Sequence, residues 1–364
     1  MSSHTQVIID LAALQHNAAV VQRAAGHSKL MAVIKADAYG HGMLLVAKAL
    51  SNVDGFAVAR LDEAIILREG GITKPILVLA GFVEAEEVTP FAHYDLDAVI
   101  HSEYQIDLLN SVVLSRPICV WLKINTGMNR LGVETSSVSR LNDRLLLSGK
   151  VRQPIKLMTH LACADDMTST STEEQIQLFD ISVEGLTGEQ SIANSAGLLG
   201  WQYAQRHWVR PGIMLYGGSP FCHKAASDEG LKPVMTLSSK VISLRTIKKG
   251  ARVGYGGSWL ATKTSLIATI GIGYGDGYPR HAIAGTPVIV AGQKAHLVGR
   301  VSMDTINVDV SHCRDIRIGD EVILWGKGLP IDEIAEKSST ITYELMCGVT
   351  ERVRRIVREK DHGE

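Results

Sequence analysis

The chain has 364 residues, 46% hydrophobic and 21% charged, with a formal net charge of −1 at pH 7. That length exceeds what one hydrophobic core organises, so two domains are expected. The near-zero charge excludes a global field for nucleic acid or an anionic membrane, and no apolar run reaches the length of a membrane span.

Asp10 reads as the N-cap of a helix running to Arg23. The branched apolar run 30–36 then reads as a buried strand. Further strands are expected at 56–60, 76–81, 98–101, 120–124, 155–161, 191–194 and 209–215. Between them lie amphipathic segments at 44–50, 61–69, 103–109, 138–147 and 173–184. Strand alternating with helix eight times is the rhythm of an α/β fold closed as a TIM-type (β/α)8 barrel. The rival, a doubly wound open sheet, lacks its Gly-rich fingerprint here: Lys35-Ala-Asp-Ala-Tyr39 stands after the first strand.

After about Gly230 the texture changes. Segments 235–247, 265–272, 287–290, 295–298, 305–310 and 321–325 read as strands between Gly, Pro and Asp turns. Helical patterning returns only at 329–338 and 343–348. Residues 1–230 are therefore expected to form the barrel and 231–364 a mostly β domain. Arg352, Arg354 and Arg355 read as a solvated helix face. The five cysteines (Cys119, Cys163, Cys222, Cys313, Cys347) are scattered and odd in number. They fit free thiols in a reducing, cytoplasmic setting, not a disulfide frame or zinc site. The opening Met-Ser-Ser-His-Thr-Gln does not read as a secretory leader, and no metal site is expected.

The chemistry concentrates at strand ends. The run 30–34 delivers Lys35 to Ala36-Asp-Ala-Tyr39-Gly-His-Gly42, a loop too rich in glycine to stay helical. A desolvated lysine there has a lowered pKa and a nucleophilic amine suited to an aldehyde cofactor; the bland alternative is a lysine snorkelling to solvent. Other strands deliver Thr126-Gly-Met-Asn-Arg130-Leu-Gly132, His160, Ser195 and Arg210-Pro-Gly212-Ile213. Singly, these read as a turn arginine, a core histidine, a helix cap and a bend. Together they fall at one end of one barrel, where such folds place active sites. The glycines of Gly271-Ile-Gly273-Tyr-Gly275-Asp-Gly277 alternate without a nucleotide-loop pattern and read as a strand-loop.

The segments 32–42, 126–132, 159–161, 194–197, 208–217, 253–257, 273–279 and 298–304 resemble the motif series of the alanine racemases, in the family's order. The likeness spans both domains. It implies that Lys35 holds pyridoxal 5'-phosphate covalently. It further implies that Tyr39, Ser195, Gly212, Ile213 and Tyr343 face the phosphate, and that Arg210 donates to the pyridine nitrogen. His160 would lie by the ring and link to Arg210, and Arg130 would steady that region. Lys123 matches a family lysine that is often carbamylated. Tyr255, in Gly254-Tyr-Gly-Gly257, would be a second catalytic base, with Met303 and Asp304 flanking the substrate. In the family these tail residues reach a neighbouring subunit's barrel, which implies a head-to-tail homodimer.

The implied reaction is the interconversion of L- and D-alanine. Inverting an α-carbon removes a proton from one face and returns one to the other, which two opposed bases accomplish most simply. By the resemblance, Lys35 serves the D-enantiomer and Tyr255 the L-enantiomer. Three rivals share the barrel. A broader-specificity racemase often carries a leader. A decarboxylase normally presents an acid, not Arg210, to the ring nitrogen. A non-catalytic cofactor-carrier protein is a barrel alone, without the tail that bears Tyr255. Whether D-alanine feeds peptidoglycan or alanine is degraded stays open.

Overall fold

A computed structural model describes residues 4–221 and 224–359; Cys222 lies outside them. The described residues divide into two compact units. One comprises Asn17–Leu215 with the described part of Pro220–Lys224, and the other comprises the described parts of Met1–His16 and Ala225–Glu364 together with Tyr216–Ser219.

The first unit is a closed barrel of eight parallel strands. They are Lys29–Val33, Gly55–Val58, Ile76–Val78, Asp97–Ile100, Cys119–Lys123, Lys156–Met158, Gln190–Ser191 and Trp208–Val209, each paired with the next and the last with the first. All eight expected strands are present. Most end earlier than their apolar pattern, because the residues that follow leave the ladder to build loops. Gly55–Val58, Ile76–Val78 and Asp97–Ile100 are buried at every position, as parallel strands covered on both faces must be.

The N-terminal opening of this barrel is plugged by side chains. The Lys156 amine lies 4.9 Å over the Trp121 ring and 5.3 Å over that of Trp208. It pairs with Asp97 at 3.5 Å and Glu189 at 3.7 Å. The loops that carry the expected site residues fall at the other end.

The second unit is an eight-stranded sheet. Its centre is the thirteen-residue strand Met235–Ile247, which pairs with Glu321–Trp325 along its first half and Ser265–Ile270 along its second. Register shifts at Leu237/Ser238 and Val241/Ser243 accompany that change of partner. Ile306–Asp309, Gln293–Val298 and Pro287–Val290 complete a ring of pairings. Gln6–Asp10 extends the sheet from Met235–Ile247, and Arg354–Arg358 adds to it in parallel. The arginines at 354 and 355 thus lie on a strand rather than a helix face. The branched Ile356 and Val357 beside them favour extended backbone.

Asp10 does cap a helix: its Oδ1 accepts from Ala13 N at 2.9 Å, and the helix spans Leu11–Ala25.

Candidate active site

Lys35 follows the first barrel strand by two residues and is half-buried. The next four residues, Ala36, Asp37, Ala38 and Tyr39, have φ of 53°, 52°, 53° and 54°. They make a left-handed turn, which costs L-residues roughly 1–2 kcal/mol each. Strain of this kind persists only where surroundings over-determine it, and it gathers at functional sites. The sequence showed a break after Lys35 but not its handedness.

Arg210 lies on the loop after the last barrel strand and is 4% exposed. Its Nη1 donates to Ser191 Oγ at 2.5 Å, and its Nη2 donates to the Thr159 carbonyl at 2.5 Å and that of Ile192 at 3.3 Å. Burial draws its pKa down to about 10, so it keeps its charge at neutral pH. Nη2 also points to His160 Nδ1 at 3.5 Å. Burial, then Arg210, Lys123, Arg130 and Lys35, hold the imidazole well below its ordinary pKa. His160 is therefore neutral. Accepting at Nδ1 leaves its proton on Nε2.

Lys123 is the last residue of Cys119–Lys123 and is 7% exposed. Burial, then the charges of Arg210, Arg130 and Lys35, pull its pKa to about 8. The charges that act on both Lys123 and His160 are those of Arg210, Arg130 and Lys35. Arg130 itself is exposed, on a loop organised by Asn125. The Asn125 Oδ1 accepts from Gly127 N at 3.2 Å and Asn129 N at 3.0 Å. Gly132 closes that loop at φ +136°, where an added Cβ would lie 2.5 Å from Asn125 N.

Ser195 opens the helix Ser195–Gly200; the capping residue is Asn194, whose side chain accepts from Gly197 N at 2.8 Å. The Ser195 hydroxyl is thereby released from capping and accepts from Gly212 N at 3.0 Å. Gly212 sits so close to Tyr39 that a Cβ would come within 2.4 Å of the phenolic oxygen. Ile213 follows, fully buried. Lys35, Tyr39, Lys123, Arg130, His160, Ser195, Arg210, Gly212 and Ile213 all follow or end barrel strands at the C-terminal rim.

The remaining expected residues belong to the second unit. Tyr255 is 68% exposed on a short turn, Tyr255–Gly257. The preceding Gly254, at φ +73°, leaves 3.3 Å between a notional Cβ and Arg300 N. Met303 is 51% exposed, and Asp304 accepts from Arg352 Nη2 at 2.7 Å. The Met303 carbonyl accepts from Gly275 N at 2.9 Å, joining that loop to the 273–276 turn. Tyr343 lies half-buried on Thr342–Cys347.

Several supporting residues were given no role by the sequence. Gln175, 2% exposed, donates to the His160 carbonyl at 3.1 Å and accepts from Ala162 N at 2.8 Å. Thr126 and Thr159 hydroxyls meet at 2.8 Å, and Thr159 donates to the Ile124 carbonyl at 2.9 Å. Buried polar residues within apolar patterns were the available hint, but they do not say which loop they hold.

The rim has what a phosphorylated aldehyde requires. It offers Lys35, three further cations in Lys123, Arg130 and Arg210, and a serine hydroxyl beside a glycine that keeps the backbone bare. The group fits these residues on their donor chemistry.

The family model described as Alanine racemase, N-terminal domain, matches residues 9–220, and that described as Alanine racemase, C-terminal domain, matches 234–357. The chain belongs to the alanine racemase family. A curated alanine racemase of Shewanella piezotolerans is 47% identical over 341 residues, 94% of this chain and 95% of that protein. One from Vibrio vulnificus is 47% identical over 345 residues, 95% of this chain and 96% of that protein. The crystal structure of biosynthetic alanine racemase from Pseudomonas aeruginosa superposes with a TM-score of 0.96 at 42% identity, covering 98% of this chain and all of that one. Both family domains are thus present, in order, across the barrel and the sheet.

Proposed function

We propose that this chain is a pyridoxal-phosphate-dependent racemase interconverting L- and D-alanine, with Lys35 and Tyr255 as the two bases. The observation that carries this reading is the placement of Lys35, Lys123, Arg130 and Arg210 at one rim of the barrel, where the charges of Arg210, Arg130 and Lys35 add to burial in lowering the pKa of Lys123. The substrate assignment follows the names of the relatives.

When bound, pyridoxal phosphate supplies an electron-withdrawing imine and ring that stabilise negative charge at the substrate Cα. Lys35 would hold it covalently, and the Lys35 amine would serve as the base on one face of the substrate Cα. Ser195, Tyr39 and Tyr343 would offer hydroxyls and Ile213 a backbone N–H to the phosphate, with Gly212, its N–H held by Ser195 Oγ at 3.0 Å, keeping the backbone bare beside it. Arg210 donates to the pyridine nitrogen and, remaining protonated, leaves that nitrogen without a proton of its own. His160 stays neutral beside it and adds no charge. Arg130 would bind on the substrate side and steady the second base, and a carbamylated Lys123 would pair with Arg130.

Tyr255 takes and returns the proton on the opposite face, with Met303 and Asp304 flanking the substrate. Their exposure supports a site completed by a second copy of the chain in a head-to-tail homodimer. The unbridged thiols of Cys119, Cys163 and Cys313 suit a cytoplasmic setting.

The test is borohydride reduction of cofactor-loaded protein, peptide mapping, and assay of D-alanine from L-alanine. Label at Lys35 together with D-alanine supports the reading. Label on another lysine, or no D-alanine from loaded protein, defeats it.

A further inference from the structure

Four consecutive left-handed L-residues follow Lys35, so something must hold them there. Some of the restraint is local: Ala38 N donates to the Ile34 carbonyl at 2.9 Å and Gly42 N to that of Asp37 at 3.0 Å. Asp37 Oδ1 accepts from Met43 N at 2.7 Å. The His41 ring, through Nδ1, lies 2.9 Å from the carbonyl oxygens of both Ala38 and Tyr39. A further restraint comes from another element: Glu63 Oε1 accepts from Ala36 N at 2.7 Å.

Glu63 is the third residue of the helix Leu61–Glu69. Its Oε2 accepts from Ala59 N at 2.8 Å and Arg60 N at 3.2 Å, the ordinary work of a carboxylate at a helix start. That work does not require Oε1, nor does it require burial, yet the residue is only 9% exposed. A carboxylate is removed from water at a cost, which its three backbone N–H donors offset.

The Ala36 N–H belongs to the peptide that joins Lys35 to Ala36. Fixing that peptide sets the last backbone angle of Lys35 and the first of Ala36 together. It therefore sets the direction in which the Lys35 side chain leaves the backbone. We propose that Glu63 is a positioning residue for Lys35, its carboxylate locking the left-handed turn so that the amine is aimed at the reacting carbon. The inference rests on Lys35 being the reacting amine.

Two variants test it in cofactor-loaded protein. Glu63→Gln keeps the size but turns an NH2 toward an N–H donor. Glu63→Asp keeps the charge and falls one methylene short of Ala36. In each, kcat is expected to fall about 10–100-fold, as for a reacting group displaced by about 1 Å. KM for alanine should stay within about 3-fold, since uniform binding is untouched. The Cα-deuterium isotope effect should rise with D-alanine, the enantiomer served by Lys35, and change little with L-alanine. Adding Ala36→Gly to Glu63→Gln should restore kcat several-fold, because glycine adopts positive φ without a steric penalty.

A role confined to capping the helix predicts a lower melting temperature, no difference between enantiomers and no rescue by glycine; that pattern overturns the proposal. Should Glu63→Gln not fold, Glu63→Asp carries the same comparison. If wild-type protein traps the cofactor at a lysine other than Lys35, the functional reading falls and this inference with it. If Lys35 is trapped and both variants turn over like wild type, the inference alone falls.

Discussion

The phenolic oxygen of Tyr39 occupies the space into which any side chain at position 212 would grow. A Cβ built on Gly212 would stand 2.4 Å from that oxygen and 3.1 Å from the ring carbon that bears it. Gly212 N is at the same time held by the Ser195 hydroxyl at 3.0 Å. Two arms of the rim, one after the first strand and one after the last, therefore meet without room for a methyl group.

Gly212→Ala should displace Tyr39 and weaken cofactor binding at least about 10-fold, since overpacking shifts both side chain and backbone. Adding Tyr39→Phe removes the closer contact but not the second, so affinity should return only in part. Equilibrium dialysis of pyridoxal phosphate measures both. Unchanged affinity in Gly212→Ala would contradict the proposed phosphate contact.

Arg210 bears on reaction choice. Arg210→Glu would set a carboxylate against the Thr159 and Ile192 carbonyls that now accept from the guanidinium, and would offer the ring nitrogen a proton. Racemisation should fall at least about 100-fold, in the range of a lost preorganised donor. The share of turnovers ending in pyruvate should rise, because a protonated ring spreads charge away from Cα. A pyruvate share equal to wild type would show that Arg210 does not set the outcome.

Lys123 gives a pH signature. Its pKa falls from 10.5 to about 8 on folding. Between those values the unfolded chain binds more protons than the folded one, so stability rises with pH across that window. Below about 8 the folded protein carries the full cost of the buried cation, about 3 kcal/mol for a shift of this size. In buffer stripped of carbon dioxide, Lys123→Met should be the more stable protein at pH 7, with the gap closing toward pH 10. Denaturant titration checks this. Added bicarbonate should stabilise wild type alone and leave Lys123 heavier by one carbon dioxide in mass spectra; a gap that widens with pH refutes the account.

Tyr255→Phe removes one base and leaves the other. Exchange of the Cα proton from L-alanine should drop at least about 100-fold, the scale of lost general-base catalysis. Exchange from D-alanine into solvent should persist at a much higher rate. Equal losses for both enantiomers would remove Tyr255 from its assigned face.

Most of the barrel was legible because buried parallel strands write continuous apolar runs. Several of these runs ended in polar residues that the fold brings to the rim. Strand ends were less legible: 209–215 looked like one strand, but pairing stops at Val209 and Arg210 turns away to Ser191 and Thr159. Gln6–Asp10 went unread because its partners, Met235–Ile247 and Arg354–Arg358, lie more than two hundred residues away. Lys35 and Arg210 could be found from local pattern. Glu63, Ser191 and Gln175 could not, since each acts on backbone groups of a distant segment and no spacing records that.

The most direct test mixes two inactive proteins. Lys35→Ala and Tyr255→Phe chains should each turn over alanine negligibly on their own. Unfolded together and refolded in equal amounts, they should regain racemase activity, with about a quarter of the sites holding an intact lysine and an intact tyrosine. Recovery near that level is the predicted result. No recovery, from mixtures shown to contain heterodimers, would contradict a site built from both copies.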